Sequence, residues 1–162
     1  MINKGTNLSL IILLVSVLWV SCKRSSEPCF QPKTVNMIIG TYKPADTGTA
    51  GVDSTLPKAL ITIPDSNFAL YKGANQSKFV LLLSPKSDSI RYYFSTDSTF
   101  LGSDTVTFYY QRNLTFLSTS CGYTFHYVLQ SVKNTSYNID SVKIVNGNID
   151  GTANIEHVKI FY

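Results

Sequence analysis

Short segments of alternating apolar and polar residues recur every 10–15 residues from Thr34 to Tyr162, and turn-forming residues separate them. Alternation with a period of two sends successive side chains to opposite faces of a β-strand. Outside the first 21 residues, no window of adequate length shows the 3.6-residue apolar period of a helix. The pattern predicts strands near residues 34–42, 58–64, 67–72, 78–84, 89–95, 104–111, 114–118, 123–132, 138–146 and 154–162.

The composition agrees with an all-β domain. Thr, Ser, Tyr, Val, Ile and Phe are abundant, whereas Ala, Glu and Met are scarce, as is typical of strands. Turn residues occupy the joins, for example in KGANQS (72–77) and NGNIDGTAN (146–154). About nine or ten short strands in residues 33–162 predict a single antiparallel β-sandwich, immunoglobulin-like or transthyretin-like, with a closed barrel as the alternative.

The alternation also predicts which side chains face the core. In the last predicted strand, Val158 and Ile160 share one face, and His157 and Phe161 share the other. The expected core comprises Ile39, Leu60, Phe79, Leu81, Phe94, Val106, Phe108, Phe116, Phe125, Tyr127, Leu129, Val142, Ile144, Val158 and Ile160.

The N-terminus has the layout of a lipoprotein signal. One basic residue, Lys4, precedes a 13-residue apolar run from Leu8 to Val20, and the small residue Ser21 then precedes Cys22. The run is shorter than the roughly 18–20 apolar residues that span a bilayer, and it suits a signal-peptide core. We therefore expect lipidation of the Cys22 thiol and cleavage before it; the alternative is an ordinary secreted protein.

Three segments follow from this layout. Residues 1–21 are the predicted signal peptide, residues 22–32 a polar tether interrupted by Pro28 and Pro32, and residues 33–162 the β domain. Without Lys4, 13 Lys and Arg residues face 10 Asp and Glu residues, which gives the processed chain a formal charge of +3. These charges are scattered, so the sequence gives no reason to expect a nucleic-acid partner.

The three cysteines are expected to play two roles. If Cys22 carries lipid, Cys29 and Cys121 remain, and an oxidising compartment favours a disulfide between them. Such a bond closes a loop of about 93 residues and is worth roughly 4–5 kcal/mol in the chain-entropy model. The alternative is a pair of buried free thiols.

Four landmarks occur together in the chain: Cys29, the strand from Asp104 to Tyr110, the element LSTSCGY from Leu117 to Tyr123, and HVKI from His157 to Ile160. The combination resembles an uncharacterised lipoprotein family of the Bacteroidota. In that family a D-x-[IVL]-x-[FI]-x-Y strand leads into [IL]-S-x-x-C-G-[YF], and the chain ends on H-[IV]-K-I. The resemblance implies residence in the cell envelope, at the outer membrane, and implies no activity.

One departure concerns sorting between membrane faces. Surface-exposed lipoproteins of that phylum often carry acidic residues directly after the lipidated cysteine. This chain has Lys23 and Arg24 there, with a single acid at Glu27. The leaflet that carries the anchor is therefore left open.

Catalytic and metal chemistry are poorly supported. The two histidines, His126 and His157, lie 31 residues apart in predicted strands, and the sequence has no G-x-S-x-G elbow. Cys121 is better used in a disulfide than as a nucleophile, and no Cys/His cluster has metal-ligand spacing. We assign no catalytic residue, no metal ligand and no cofactor, and an envelope hydrolase is the weakest alternative.

One short motif imitates a calcium loop. In NGNIDG, Asn146, Asn148, Asp150 and Gly151 follow the 1-3-5-6 spacing of such a loop. Position twelve, however, is His157 where a bidentate Glu is needed, and the flanking segments are predicted strands. A Gly- and Asn-rich hairpin turn is the favoured interpretation.

Two adjacent tyrosine pairs, at 92–93 and 109–110, lie in predicted strands and show one ring to each face. If Tyr93 and Tyr109 are cross-strand neighbours on an open sheet, they form a platform for a glycan or a protein. The favoured interpretation is aromatic packing between strands.

Five Asp-Ser or Asp-Thr patterns match the D-[ST]-aliphatic/Thr acceptor pattern of the general O-glycosylation system in Bacteroidota, which the resemblance brings into consideration. The acceptors are Ser54, Ser89, Ser98, Thr105 and Ser141. An equally weighted alternative is that these residues begin strands through local side-chain turns.

From the sequence we expect a membrane-anchored envelope lipoprotein with a non-catalytic structural or protein-binding β domain. Its partners are membrane lipid through Cys22 and envelope proteins or glycans. A glycan-binding module that uses exposed tyrosines is the second hypothesis.

Overall fold

A computed structural model describes residues 28–31, 33–44, 51–64, 66, 68–97, 102–151 and 154–162. The signal peptide, Cys22, most of the tether and Ser98 lie outside these residues. No helix among the described residues is long and apolar enough to cross a membrane. The described elements are strands: β1 (Asn36–Lys43), β2 (Val52–Asp53), β3 (Leu56–Thr62), β4 (Ala69–Gln76), β5 (Lys78–Leu82), β6 (Ser89–Ser95), β7 (Asp104–Ser118), β8 (Gly122–Asn134), β9 (Ser141–Ile144), β10 (Asn148–Ile149) and β11 (Val158–Phe161).

The strands form two sheets that pack together, which confirms the predicted sandwich and excludes the closed barrel for this part of the chain. The six-stranded sheet has the order β10-β8-β7-β6-β3-β4. In the five-stranded sheet, β1 pairs with β11 on one side and with β2 and β5 on the other, and β9 lies beyond β11. The β1–β11 pair is parallel, and the other pairs are antiparallel.

Strand alternation builds the core between the sheets. In β5, Phe79 and Leu81 are buried while the residues between and around them are exposed. The rings of Tyr71 and Phe94 pack edge-on against Phe79, with centroid separations of 5.0 and 5.9 Å. Because β4 and β6 belong to the other sheet, Phe79 joins the two layers.

The predicted core needs two corrections. Leu60 is only half-buried, because Ala59 and Ile61 face the core in its place. Phe116 is 54% exposed. The remaining predicted residues are buried, or half-buried against the core in the case of Phe125, Val142 and Ile144. The core also contains residues that the pattern did not select, among them Met37, Leu56, Tyr92, Tyr110, Ile139 and Ile149.

The longest element is the hairpin of β7 and β8. The two strands predicted at 104–111 and 114–118 are one continuous strand, joined to β8 by residues 119–121. On the core-facing side, Leu114 lies opposite Phe125 and Phe116 lies opposite Tyr123. We call residues 113–126 the hairpin tip. Its apolar side chains continue the core face outward, yet Phe116 and its neighbours remain exposed.

One predicted turn is wrong. Most of KGANQS lies inside β4, where Gly73 adopts a left-handed conformation with φ of 67°. NGNIDG lies in the connection between β9 and β11, which pair antiparallel as the hairpin interpretation expects. That connection is longer than a turn, because it also places β10 on the edge of β8 in the other sheet.

The chain divides into residues 1–30 and a compact unit of residues 31–162, which contains every described strand. Cys29 and Cys121 are both disulfide-bonded, in agreement with the pair predicted from the sequence.

Candidate functional site

His157 is 3% exposed and links three backbone segments. Its ring Nδ1 accepts a hydrogen bond from the Ile38 backbone N–H at 3.0 Å, and the backbone N–H of His157 donates to the Ile38 carbonyl at 2.9 Å. Its carbonyl accepts from the N–H groups of Val145 and Asn146 at 2.9 and 3.2 Å. Burial lowers the pKa of His157, against the opposing effect of a hydrogen bond from its ring to the Asn148 backbone. The neutral His157 ring accepts a hydrogen bond from the main chain of β1 and so helps to hold the strands together.

His126 lies elsewhere in the molecule. It is half-buried on β8, opposite Asn113, and so belongs to the six-stranded sheet, whereas His157 precedes β11 of the five-stranded sheet. The structure therefore does not bring the two histidines of the chain together.

We expect stability to fall in mild acid because of His157. The lowered pKa means that the unfolded chain, with a histidine pKa near ~6.5, takes up the proton first. This contribution is complete above pH ~6.5 and is lost as the pH falls through the lower native pKa. The free energy of unfolding, measured in urea at several acidic pH values, should change less steeply with pH in His157→Gln than in wild type. His126→Gln is the matched control and should keep the wild-type slope; equal slopes in all three proteins would contradict the assignment.

A second polar group, Asp104, is fully buried at the start of β7. Its Oδ1 accepts hydrogen bonds from the Thr135 hydroxyl and the Tyr137 N–H, both at 2.7 Å. Its Oδ2 accepts from the N–H groups of Asn138 and Ile139 at 2.6 and 3.0 Å. One carboxylate thus satisfies three consecutive backbone N–H groups in the connection that leads from β8 toward β9.

Three core tyrosines hold the segment that follows β5. Each hydroxyl bonds a main-chain atom of residues 82–84: Tyr92 the Leu82 carbonyl, Tyr110 the Ser84 N–H at 2.9 Å, and Tyr127 the Leu83 carbonyl at 3.5 Å. Burial raises the pKa of Tyr92 and of Tyr127, and the neighbouring Tyr110 adds to both shifts. The hydroxyls of Tyr92 and Tyr127 are neutral links between the two sheets at physiological pH.

Tyr93 and Tyr109 are 39% and 37% exposed and share the outward face of the six-stranded sheet. They are not cross-strand neighbours, because Tyr93 pairs with Thr105 whereas Tyr109 pairs with Ser89. Four residues of strand separate their positions, about 13 Å at ~3.3 Å per residue. The Nζ of Lys133 also lies 5.7 Å from the centre of the Tyr109 ring. The face offers two separate rings rather than a continuous aromatic platform.

The calcium-like motif forms a different local structure. The Asn146 Oδ1 accepts a hydrogen bond from the Asn148 N–H at 3.0 Å, and Gly151 has a φ of 74°. Ile149 is buried in the core, so the motif inserts a side chain between the sheets. Within the described ranges, no group of three or more His, Cys, Asp or Glu side chains could hold a metal ion.

The four glycosylation candidates that the structure describes are Ser54, Ser89, Thr105 and Ser141, and all are half-buried. Ser89 and Ser141 are the first residues of β6 and β9, as the strand-start interpretation expects. The Ser54 Oγ accepts a hydrogen bond from the Tyr162 hydroxyl at 2.8 Å. Because Asp104 is buried beside Thr105, a glycosyltransferase could recognise the Asp104-Thr105 pattern only before the domain folds.

Two open grooves border the hairpin. One of about 530 Å³ lies beside the Arg112–Asp88 ion pair, whose Nε and Oδ1 atoms are 2.6 Å apart. The other, of about 480 Å³, runs along residues 33–35 and 123–127. Residues of the hairpin tip line both grooves, and its side chains Leu114, Phe116 and Tyr123 are 61%, 54% and 64% exposed. Sequence reasoning missed this surface and placed Phe116 in the core, although the run of residues without charge was visible.

The sequence profile of a family of unknown function, DUF6452, matches residues 58–162. That match covers β3 to β11 and leaves out β1, β2 and everything before them. No curated protein and no solved structure matches the chain.

Proposed function

Because the chain belongs to the DUF6452 family, whose function is unknown, we propose its function from its own residues. The protein is a lipoprotein of the bacterial envelope, anchored by a lipid on Cys22 and residing at the outer membrane. Its β domain is non-catalytic and serves envelope structure or binds another envelope protein.

The use of the buried polar groups is the observation that carries the non-catalytic part. Asp104, His157 and Tyr110 could each take part in chemistry if they were free in a cleft. In this domain each of them bonds main-chain atoms from another part of the sheet or loop structure. Their hydrogen bonds join segments that are far apart in the sequence, which suits a rigid scaffold.

The anchoring part is supported by the N-terminal sequence. The apolar run, the small residue Ser21 and Cys22 stand in the order that lipoprotein processing requires. The disulfide state of Cys29 and Cys121 suits an oxidising compartment outside the cytoplasm.

A glycan-binding module is the second candidate. It is favoured by the exposed rings of Tyr93 and Tyr109 on a sheet face that also carries Arg91, Thr105 and Thr107. A separation of about 13 Å along the strand suits an extended oligosaccharide, with one sugar ring on each tyrosine, better than a monosaccharide. Glycan binding that persists in a Tyr93→Ala, Tyr109→Ala double variant would exclude this mode.

Membrane fractionation tests the anchor. We expect the wild-type protein to sediment with membranes through an alkaline carbonate wash, which removes peripheral proteins. Cys22→Ala loses the acylated thiol and should move mostly to the soluble fraction, since stable attachment needs two or more acyl chains. Ser26→Ala, in the same tether, is the matched control and should stay with the membrane. Equal retention of Cys22→Ala would contradict the proposal.

A further inference from the structure

The hairpin tip carries an apolar surface with no protein partner in the described part of the chain. Leu114, Phe116 and Tyr123 are all more than half exposed, and the rings of Phe116 and Tyr123 pack on each other with centroids 5.2 Å apart. Phe125 continues the strip and is half-buried against the core. Strands this apolar on an exposed face usually contact something else.

The same region lacks formal charge over a long stretch. Residues 113–132 contain no Asp, Glu, Lys or Arg, and Arg112 and Lys133 bound the stretch on either side. Soluble hairpins usually protect exposed apolar strands with charged side chains. A charge-free tip with Phe, Leu and Tyr has instead the composition of a segment at a membrane–water interface, where aromatic rings are enriched.

The β domain begins beside this tip. Thr124, within the tip, donates its hydroxyl hydrogen to the Lys33 carbonyl at 2.7 Å, so the domain begins next to β8 there. Ten residues lie between Cys22 and Lys33, which limits the distance between these two residues to about 38 Å even when the segment is fully extended.

The charges near the tip also suit a lipid surface. Lys33 is exposed where the chain enters the domain, and Lys23 and Arg24 stand next to the anchor in sequence. Basic residues within a Debye length of a phospholipid surface are attracted to its phosphate groups.

We propose that the hairpin tip rests in the headgroup region of the membrane that holds the Cys22 anchor, with Leu114, Phe116 and Tyr123 in contact with lipid. The placement depends on the lipid anchor proposed above. The sandwich then stands on the membrane with β7 rising away from it. Asp104 lies about 40 Å above Phe116, twelve residues along the strand at ~3.3 Å each.

Tryptophan quenching in vesicles tests this orientation. The chain has one tryptophan, Trp19, in the predicted signal peptide, so the processed protein has none. Tyr123→Trp puts a probe at the tip. Tyr137→Trp is the matched control, because both tyrosines are 64% exposed and Tyr137 lies at the Asp104 end of the hairpin. The lipidated proteins are reconstituted into phosphatidylcholine and phosphatidylglycerol vesicles, with or without brominated acyl chains.

We expect brominated lipid to reduce the emission of Tyr123→Trp about twofold, since interfacial side chains sit ~5–10 Å into the boundary. Emission of Tyr137→Trp should not change. Equal and negligible quenching of both probes, with the protein still floating with the vesicles, would overturn the tip placement and leave the anchor intact. If the emission of Tyr123→Trp shifts with protein concentration and is not quenched by brominated lipid, the hairpin tip instead contacts a second copy of the protein. Failure of the wild-type protein to float would refute the anchor itself.

Discussion

Asp104→Asn should destabilise the domain by about 3 kcal/mol or more. The substitution turns one acceptor oxygen into an N–H donor that faces two other donors, and it removes the charge from the remaining hydrogen bonds. Hydrogen bonds to charged groups are each worth ~1.5–3 kcal/mol, and a buried unpaired N–H adds ~1–3 kcal/mol. Urea unfolding of the purified protein, followed by far-UV circular dichroism, measures the loss.

Asp140→Asn is the matched control for this prediction. Asp140 is an exposed acid at the end of the same connection, so its substitution should change stability by no more than ~0.5 kcal/mol. Similar effects of the two substitutions would mean that Asp104 does not hold the connection from β8 toward β9.

The second large effect is expected at Phe79. Phe79→Ala should cost about 3–5 kcal/mol, because the ring is fully buried and bridges the two sheets through Tyr71 and Phe94. Since so large a loss could unfold the domain, Phe79→Leu provides a graded variant with an expected cost of ~1–2 kcal/mol. Both are measured as shifts of the denaturant midpoint at constant slope.

Val80→Ala tests the facing of the same strand. Val80 is 47% exposed and points away from the core, so its truncation should cost less than ~1 kcal/mol. A loss at Val80 as large as that at Phe79 would show that the register of β5 against β1 is wrong.

Local alternation was enough to predict much of the fold. The strand at residues 89–95 coincides with β6, since Tyr92 and Phe94 face the core while Arg91 and Tyr93 face outward. Where both faces of a strand are apolar, the alternation no longer indicates which side chains face the core. In β3, the neighbours Ala59, Leu60 and Ile61 are all apolar, and Ala59 and Ile61 are the two that face the core.

The error at Phe116 has a different cause. Phe116 follows the alternation of β7, but the hairpin extends beyond the opposite sheet, and local sequence does not encode that length. NGNIDG does lie between the antiparallel strands β9 and β11, but its composition does not indicate that β10 pairs with β8. Both outcomes depend on partners distant in sequence.

The polar groups of the candidate site were identifiable only in part. His157 was recognised as a strand histidine without a catalytic partner, but its bonds to Ile38, 119 residues away, follow from the parallel β1–β11 pair. Asp104 was read as part of a glycosylation or strand-start pattern. Its four donors lie 31–35 residues further along the chain, in a connection with no periodic signal.

The lipid anchor on Cys22 is tested most directly by the mass of the N-terminal peptide. Protein purified from membranes, reduced and cleaved after Phe30 should give residues 22–30, CKRSSEPCF, with a diacylglyceryl group on the Cys22 sulfur. An unmodified Cys22 thiol, or a peptide that begins at any other residue, would contradict a lipoprotein and remove the basis for placing the hairpin tip at the membrane.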